Sequence, residues 1–137
     1  MKMFSAIGAI VLAFTNMIAE EIEKISKLEG IYCRITYYHP YQDKWGSRVA
    51  CPKTYRAKQG ITVAAHPSFK FGTQVYIPEL AGKIGDGNFI VQDRGAWVTK
   101  KKASKGKHYV FDVFVSCKSS YNQMKKNNPY MWVYASK

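Results

Sequence analysis

Acidic residues are scarce in this sequence, and they are unevenly spread. Nine Asp and Glu stand against 21 Lys and Arg, and Glu20, Glu21, Glu23 and Glu29 all fall before residue 30. From Gly30 to Lys137 five acids face 18 bases, so each acid there needs a local reason. The chain also lacks a CxxC pair and any His pair at ligand spacing, which leaves its three Cys and three His without a zinc pattern. No metal and no cofactor are expected. There is no internal repeat, and the one charge run, "TKKKASKGKH", reads as a solvated loop. What is present excludes disorder: aromatics at 15% and hydrophobics at 47% can fill a modest core in a single domain of 137 residues.

The surplus of positive charge seeks a polyanion, whether nucleic acid, anionic lipid or an acidic cell-wall polymer. The first residues narrow that choice. Lys2 precedes "MFSAIGAIVLAFTNMIA", which carries no charge until Glu20. A basic residue followed by an apolar run reads as a secretory signal or, if uncleaved, as a membrane anchor, and residues 1–19 are assigned to it. Export places the body of the protein in the cell envelope or outside the cell, and a nucleic-acid partner is then not expected. Cys33, Cys51 and Cys117 fit an oxidising compartment loosely. One disulfide and one leftover thiol is the simplest arrangement; Cys33 with Cys51 would close a short loop, but the pairing stays open. "NMIAEEIEKISKLEG" sets Ile18, Ile22, Ile25 and Leu28 at helical spacing and stops at Gly30, which predicts a linker helix over 20–29.

After Gly30 the texture changes. "GIYCRITYY", "ITVAA", "TQVYIP", "NFIVQ", "YVFDVFVSC" and "YMWVYAS" are short, β-branched or aromatic, and separated by Gly, Pro, Asn and Asp. "SSYNQMKKN" predicts a turn or two of helix before the last strand. Many short strands with little helix point to an all-β domain over 30–137, built as a small closed barrel.

Two of the five acids fall within these strands. In "YVFDVFV", alternation puts Tyr109, Phe111, Val113 and Val115 on one face and Val110, Asp112 and Phe114 on the other. A carboxylate between apolar neighbours is costly unless paired or held neutral, so Asp112 is either a structural group bonded to a backbone N–H or to Arg94, or a functional one. Asp93 ends the run Phe89, Val91, Asp93 and is followed by "RGAW". A strand end before a glycine turn can hold a side chain in a groove on rigid backbone. A nearby apolar wall, Trp97 or Tyr38, would raise its pKa and fit it to protonate a glycosidic oxygen; the plainer reading is an Asp that caps the turn. His66 precedes Pro67 and is therefore extended. Gly72 and Thr73 would turn the chain so that this segment lies beside the strand of Asp93.

With these residues in place, "ITVAAHPSFKFGTQVYIP", "FIVQDRGAWV" and "YVFDVFV" resemble the core signatures of the double-psi β-barrel superfamily. Its relevant members are the 3D domains, membrane-bound lytic transglycosylase A, rare lipoprotein A and the N-terminal domain of expansins. Of the three aspartates that name the 3D domains, the first position carries His66 here, as in rare lipoprotein A, and the others match Asp93 and Asp112. The resemblance spans about residues 30 to 135. It implies a six-stranded double-psi β-barrel with a surface groove and, in the enzymatic members, lytic transglycosylase activity on peptidoglycan. Asp93 carries over as general acid, Asp112 and His66 as catalytic support, and Tyr37, Tyr38, Thr73, Arg94 and Trp97 as substrate-binding groups. A monomer bound to peptidoglycan and other anionic wall polymers, without a stable protein partner, is expected. Rare lipoprotein A relatives carry a glutamate before the His, whereas "CPKTYRAKQGITVAAH" holds no acid. That difference favours the alternative of an expansin-like module that binds and loosens wall polysaccharide without cutting it.

Overall fold

The computed structural model describes residues 2–26 and 28–137, with the side chains of 8–23, 28 and 30–137. The chain begins with one continuous helix, α1 (Lys2–Ser26), so the apolar N-terminal run and most of the expected linker helix form a single element. Its described apolar side chains, among them Leu12, Phe14 and Ile22, are exposed. Among the described residues no helix is long and apolar enough to cross a membrane.

Six strands follow: β1 (Glu29–Tyr38), β2 (Thr62–Ala64), β3 (Gln74–Tyr76), β4 (Asn88–Asp93), β5 (Val110–Phe114) and β6 (Tyr130–Ala135). Each matches one of the expected segments, and most are shorter. Two short helices cover the barrel, α2 (Ala96–Thr99) and α3 (Lys118–Met124), the latter lying in the predicted segment before the last strand. The strands close in the order β1-β5-β2-β4-β3-β6. Pairs β1/β5 and β2/β4 are parallel and the other four antiparallel.

Alternation fills the barrel. Cys33 and Ile35 of β1, Phe111 and Val113 of β5, and Met131 and Val133 of β6 point inward and are buried. Phe69, from the loop after β2, plugs one end, its ring 5.0 Å from that of Phe111. The outer face of β5 is buried as well: Val110 packs with Ala64 and Val98, and Phe114 with Val49 and Ala57 of the long β1–β2 loop. This second layer folds that loop onto the barrel and makes it one wall of a groove.

Two loops meet backbone to backbone at Gly60 and Gly85. A Cβ on Gly85 would stand 3.0 Å from the Gly60 Cα and 3.2 Å from its carbonyl oxygen, and Gly85 has a φ of +60°. Gly85→Ala is therefore expected to destabilise the fold by about 1–3 kcal/mol. Urea unfolding should show a lower midpoint with an unchanged slope.

The expected disulfide does not form. All three cysteines are free: Cys33 lies in the barrel core, Cys51 on the β1–β2 loop and Cys117 at the N-terminus of α3. Cys33 was one candidate for a short loop closure with Cys51, but inward alternation on β1 makes it a core residue, and burial pushes its thiol pKa up to about 12.

Candidate functional site

A row of four residues crosses the barrel surface. Thr36 of β1 pairs with Asp112 of β5, Asp112 with Ala64 of β2, and Ala64 with Asp93 of β4. At a strand spacing of about 4.8 Å the two aspartate Cα atoms stand roughly 10 Å apart, with only the methyl group of Ala64 between them. Their carboxyls share the floor of an open groove.

A bulge turns Asp93 to that floor. Val63 pairs with Val91, and the next residue, Ala64, pairs with Asp93, so Gln92 is the extra residue on β4. Strict alternation from Phe89 and Val91 would send Asp93 into the barrel interior, and one inserted residue reverses the face. Gln92 is held in place: its side-chain oxygen accepts from the Thr62 hydroxyl at 2.6 Å, and its carbonyl accepts from the Cys51 N–H at 3.0 Å.

Three donors fix the Asp93 carboxyl. Oδ1 accepts from the N–H groups of Ala50 (3.2 Å) and Arg94 (2.9 Å), and Oδ2 from the Tyr38 hydroxyl (3.2 Å). Burial raises its pKa above the usual carboxylate value, against the lowering by these hydrogen bonds, and the charge of Asp43 adds to the rise. The Asp112 carboxyl accepts from the Thr36 hydroxyl at 2.8 Å. Burial, with the neighbouring Asp93 charge as a smaller cause, pushes Asp112 up to about 7 against the Thr36 hydrogen bond. The two acids thus differ: Asp93 is better solvated by the protein as an anion, and Asp112 holds its proton to neutral pH.

The groove has two lobes of about 490 and 760 Å³ that share Tyr38, Gln42, Trp97 and Asp112. The smaller runs towards Arg34, Tyr121 and Lys125, and the larger towards Asp43, Trp45, Lys53 and Asp93. One end is basic and the centre acidic. Trp97 and Trp45 present partly exposed rings along it.

Of the residues expected from the sequence, Asp93, Asp112, Tyr38 and Trp97 come together here. Tyr37 borders the smaller lobe but turns inward with Cys33 and Ile35; it is 8% exposed, and its buried hydroxyl has no hydrogen-bond partner among the described residues. Arg94 lines the larger lobe, but its guanidinium turns under the His66 loop, donating to the carbonyls of Ala65 (3.1 Å) and Phe69 (2.5 Å) and lying over the Phe71 ring. It does not bond Asp112, as one sequence reading had it. His66 lines neither lobe: its Nδ1 accepts from the Ser68 N–H at 3.0 Å and its ring packs on Tyr109. Burial lowers its pKa, helped by Lys101 and Arg94. Thr73 also stands apart; its N–H bonds the Lys70 carbonyl, and its own carbonyl takes the Val91 N–H. Gly72, at a φ of +88°, makes the expected turn that sets this segment against β4.

Sequence reading passed over Thr36, Ala64, Ala50 and Asp43. Thr36 was accessible through alternation from Tyr38, and Asp43 through its rarity. Ala50 acts through its backbone N–H, which leaves no mark in a sequence. Ala64→Leu is expected to fill the floor between the carboxylates, at a stability cost of about 1–3 kcal/mol from overpacking against Val98, read as a lower midpoint of urea unfolding.

Among the described residues no group of three or more His, Cys, Asp or Glu is placed to hold a metal ion. No protein-family model matches the chain, and no curated protein matches it.

Proposed function

We propose that this is a cell-wall lytic transglycosylase on a double-psi β-barrel, exported by its N-terminal segment and acting as a monomer on the β-1,4 glycan of peptidoglycan. The observation that carries this reading is Asp93: a carboxyl of raised pKa, fixed by three donors on the floor of an open groove beside a second carboxyl that keeps its proton. In the reaction Asp93 gives its proton to the glycosidic oxygen as the C1–O bond breaks. The C6 hydroxyl of the same sugar attacks C1, and its proton passes to the Asp93 carboxylate. A 1,6-anhydro ring forms and the acid is restored. The nucleophile is already part of the substrate, so proximity takes the place of a water-activating base. Below about pH 7 Asp112 is neutral, can donate a hydrogen bond to a sugar hydroxyl, and spares Asp93 a second nearby charge while it is ionised. His66 contributes through its loop, which Arg94 ties to the Asp93 turn.

One observation favours a second reading. Three donors on Asp93 stabilise its ionised form, which suits recognition better than proton donation and fits an expansin-like module that binds and loosens wall polysaccharide. Incubating the full chain with peptidoglycan sacculi and weighing the soluble products by mass spectrometry separates the two. Anhydro-muropeptides support the transglycosylase. Binding without soluble product supports the module, and products with a new reducing end would replace both with a two-carboxylate hydrolase.

A further inference from the structure

Beyond the groove, the outer surface of β1 and β6 carries a group of aromatic rings that the chemistry above does not use. Tyr32, Arg34, Thr36 and Tyr38 alternate on the outside of β1, and in the antiparallel register Tyr32 faces Trp132 and Arg34 faces Tyr130. The Tyr32 ring lies 5.4 Å from Trp132 and 5.8 Å from Tyr130, and with Tyr130 it is nearly parallel, at 21°. His108 closes one edge, its Nδ1 3.3 Å from the Tyr32 carbonyl oxygen. Trp132 and Tyr32 remain 51% and 42% exposed, unlike the rings that fill the core. Gly30 lies beside this group: a Cβ there would stand 3.0 Å from the Tyr134 ring and 3.6 Å from that of Trp132.

The rings continue the line of the groove. Arg34 lines the smaller lobe, and its guanidinium carbon stands 5.7 Å from the centre of the Tyr130 ring. From Tyr32 to Tyr38 the strand rises about 20 Å. One strand face therefore runs from the rings, past Arg34 and Thr36, to the hydroxyl that holds Asp93.

We propose that Tyr32, Tyr130 and Trp132 form a distal binding site for a polysaccharide chain, taking the sugars that extend past the smaller lobe. The proposal rests on the reading that the groove takes a glycan. A pyranose offers a flat face of C–H groups with hydroxyls at its rim. An exposed ring with a polar edge matches both, and being rigid it loses little conformational entropy on binding. Arg34 lies between rings and groove and draws the carboxylates of an acidic wall polymer to the junction. Binding should then depend on chain length, since a short oligomer fills the groove and only a longer one reaches the rings.

The test uses the full chain carrying Asp93→Asn, so that turnover does not consume the probe, with and without Trp132→Ala or Tyr32→Ala. Both positions are exposed, and circular dichroism checks that the fold is kept. Affinities are measured calorimetrically for β-1,4-linked N-acetylglucosamine trimers and octamers and for a twelve-residue oligothymidylate. The expected result is about tenfold weaker octamer binding in either variant, with trimer binding unchanged. Equal loss for both lengths, or no loss for either, overturns the distal site while leaving the groove a glycan site. No binding of either sugar by the Asp93→Asn chain and by the unsubstituted chain alike overturns the glycan reading of the groove itself. Loss of oligothymidylate affinity with sugar affinity untouched would reassign the rings to base stacking and overturn the proposal.

Discussion

In the proposed reaction, Asp93→Asn is expected to lower the release of anhydro-muropeptides from sacculi by about 10²- to 10⁴-fold, the usual worth of a positioned general acid. The loss should come without unfolding. The amide oxygen of Asn still accepts from the Ala50 and Arg94 N–H groups, and the Tyr38 hydroxyl can rotate to accept from the amide nitrogen. Quantitative mass spectrometry of the products gives the rate, and urea unfolding checks the fold. A rate within a factor of two of the parent would remove Asp93 from the chemistry and point to Asp112, the more tightly protonated of the two. The same substitution takes a negative charge from beside Asp112, so the Asp112 pKa should move down from about 7 towards the ordinary carboxylate value. Carbonyl-region NMR titration of the Asp side chains reads that shift directly.

Stability should fall as pH rises from about 4 to about 7, and Asp112 is the reason. Its carboxyl titrates at the ordinary value of 3.8 when unfolded, and burial pushes it up to about 7 when folded. In that window the folded chain binds more protons than the unfolded one, so raising the pH favours unfolding; below the window Asp112 is protonated in both states and contributes nothing. The full shift corresponds to a few kcal/mol, on the order of 2–4, with the lower end appropriate because the groove admits water. Burial raises the Asp93 pKa as well, which acts in the same direction. Asp112→Asn removes the larger part of this dependence. Urea unfolding from pH 4 to pH 8 should give a falling curve for the parent and a flatter one for the variant, which becomes the more stable of the two above pH 7. Parallel curves would mean that Asp112 is ionised in the fold throughout.

The six strands were legible because each is a short β-branched or aromatic run closed by a turn residue, and because Phe111, Val113 and Val115 keep strict alternation. Legibility stopped where geometry depends on a partner strand. Phe89, Val91 and Asp93 look like three residues on one face, and only the register with β2 exposes Gln92 as the inserted residue that turns Asp93 outward. Tyr37 and Tyr38 were both assigned to the groove, although consecutive strand residues face opposite sides; Tyr38 took the groove face and Tyr37 the core. The bond from Thr36 to Asp112 joins residues 76 apart. No local pattern announces such a contact, nor the turn of Arg94 away from the carboxylates to hold the carbonyls of Ala65 and Phe69. The cysteines were read by compartment and number, whereas the interior face of β1 decides where Cys33 lies.

The place of β1 in the barrel also sets an order of assembly. The first strand made lies between the last two, with β5 on one side and β6 on the other. While the ribosome is still adding residues before Val110, β1 has neither neighbour, and its alternating apolar face has no interior to enter. Contacts of such long sequence separation carry a large loop-closure cost and form slowly. The floor of the groove needs β1, β5, β2 and β4 side by side, so the site appears only once most of the chain has been made. A nascent or truncated chain ending before β5 would display the two aromatic-rich edges of β1 as open pairing templates, prone to join a second chain. For this protein the floor of the groove and the protection of its first strand from aggregation arrive in the same late event.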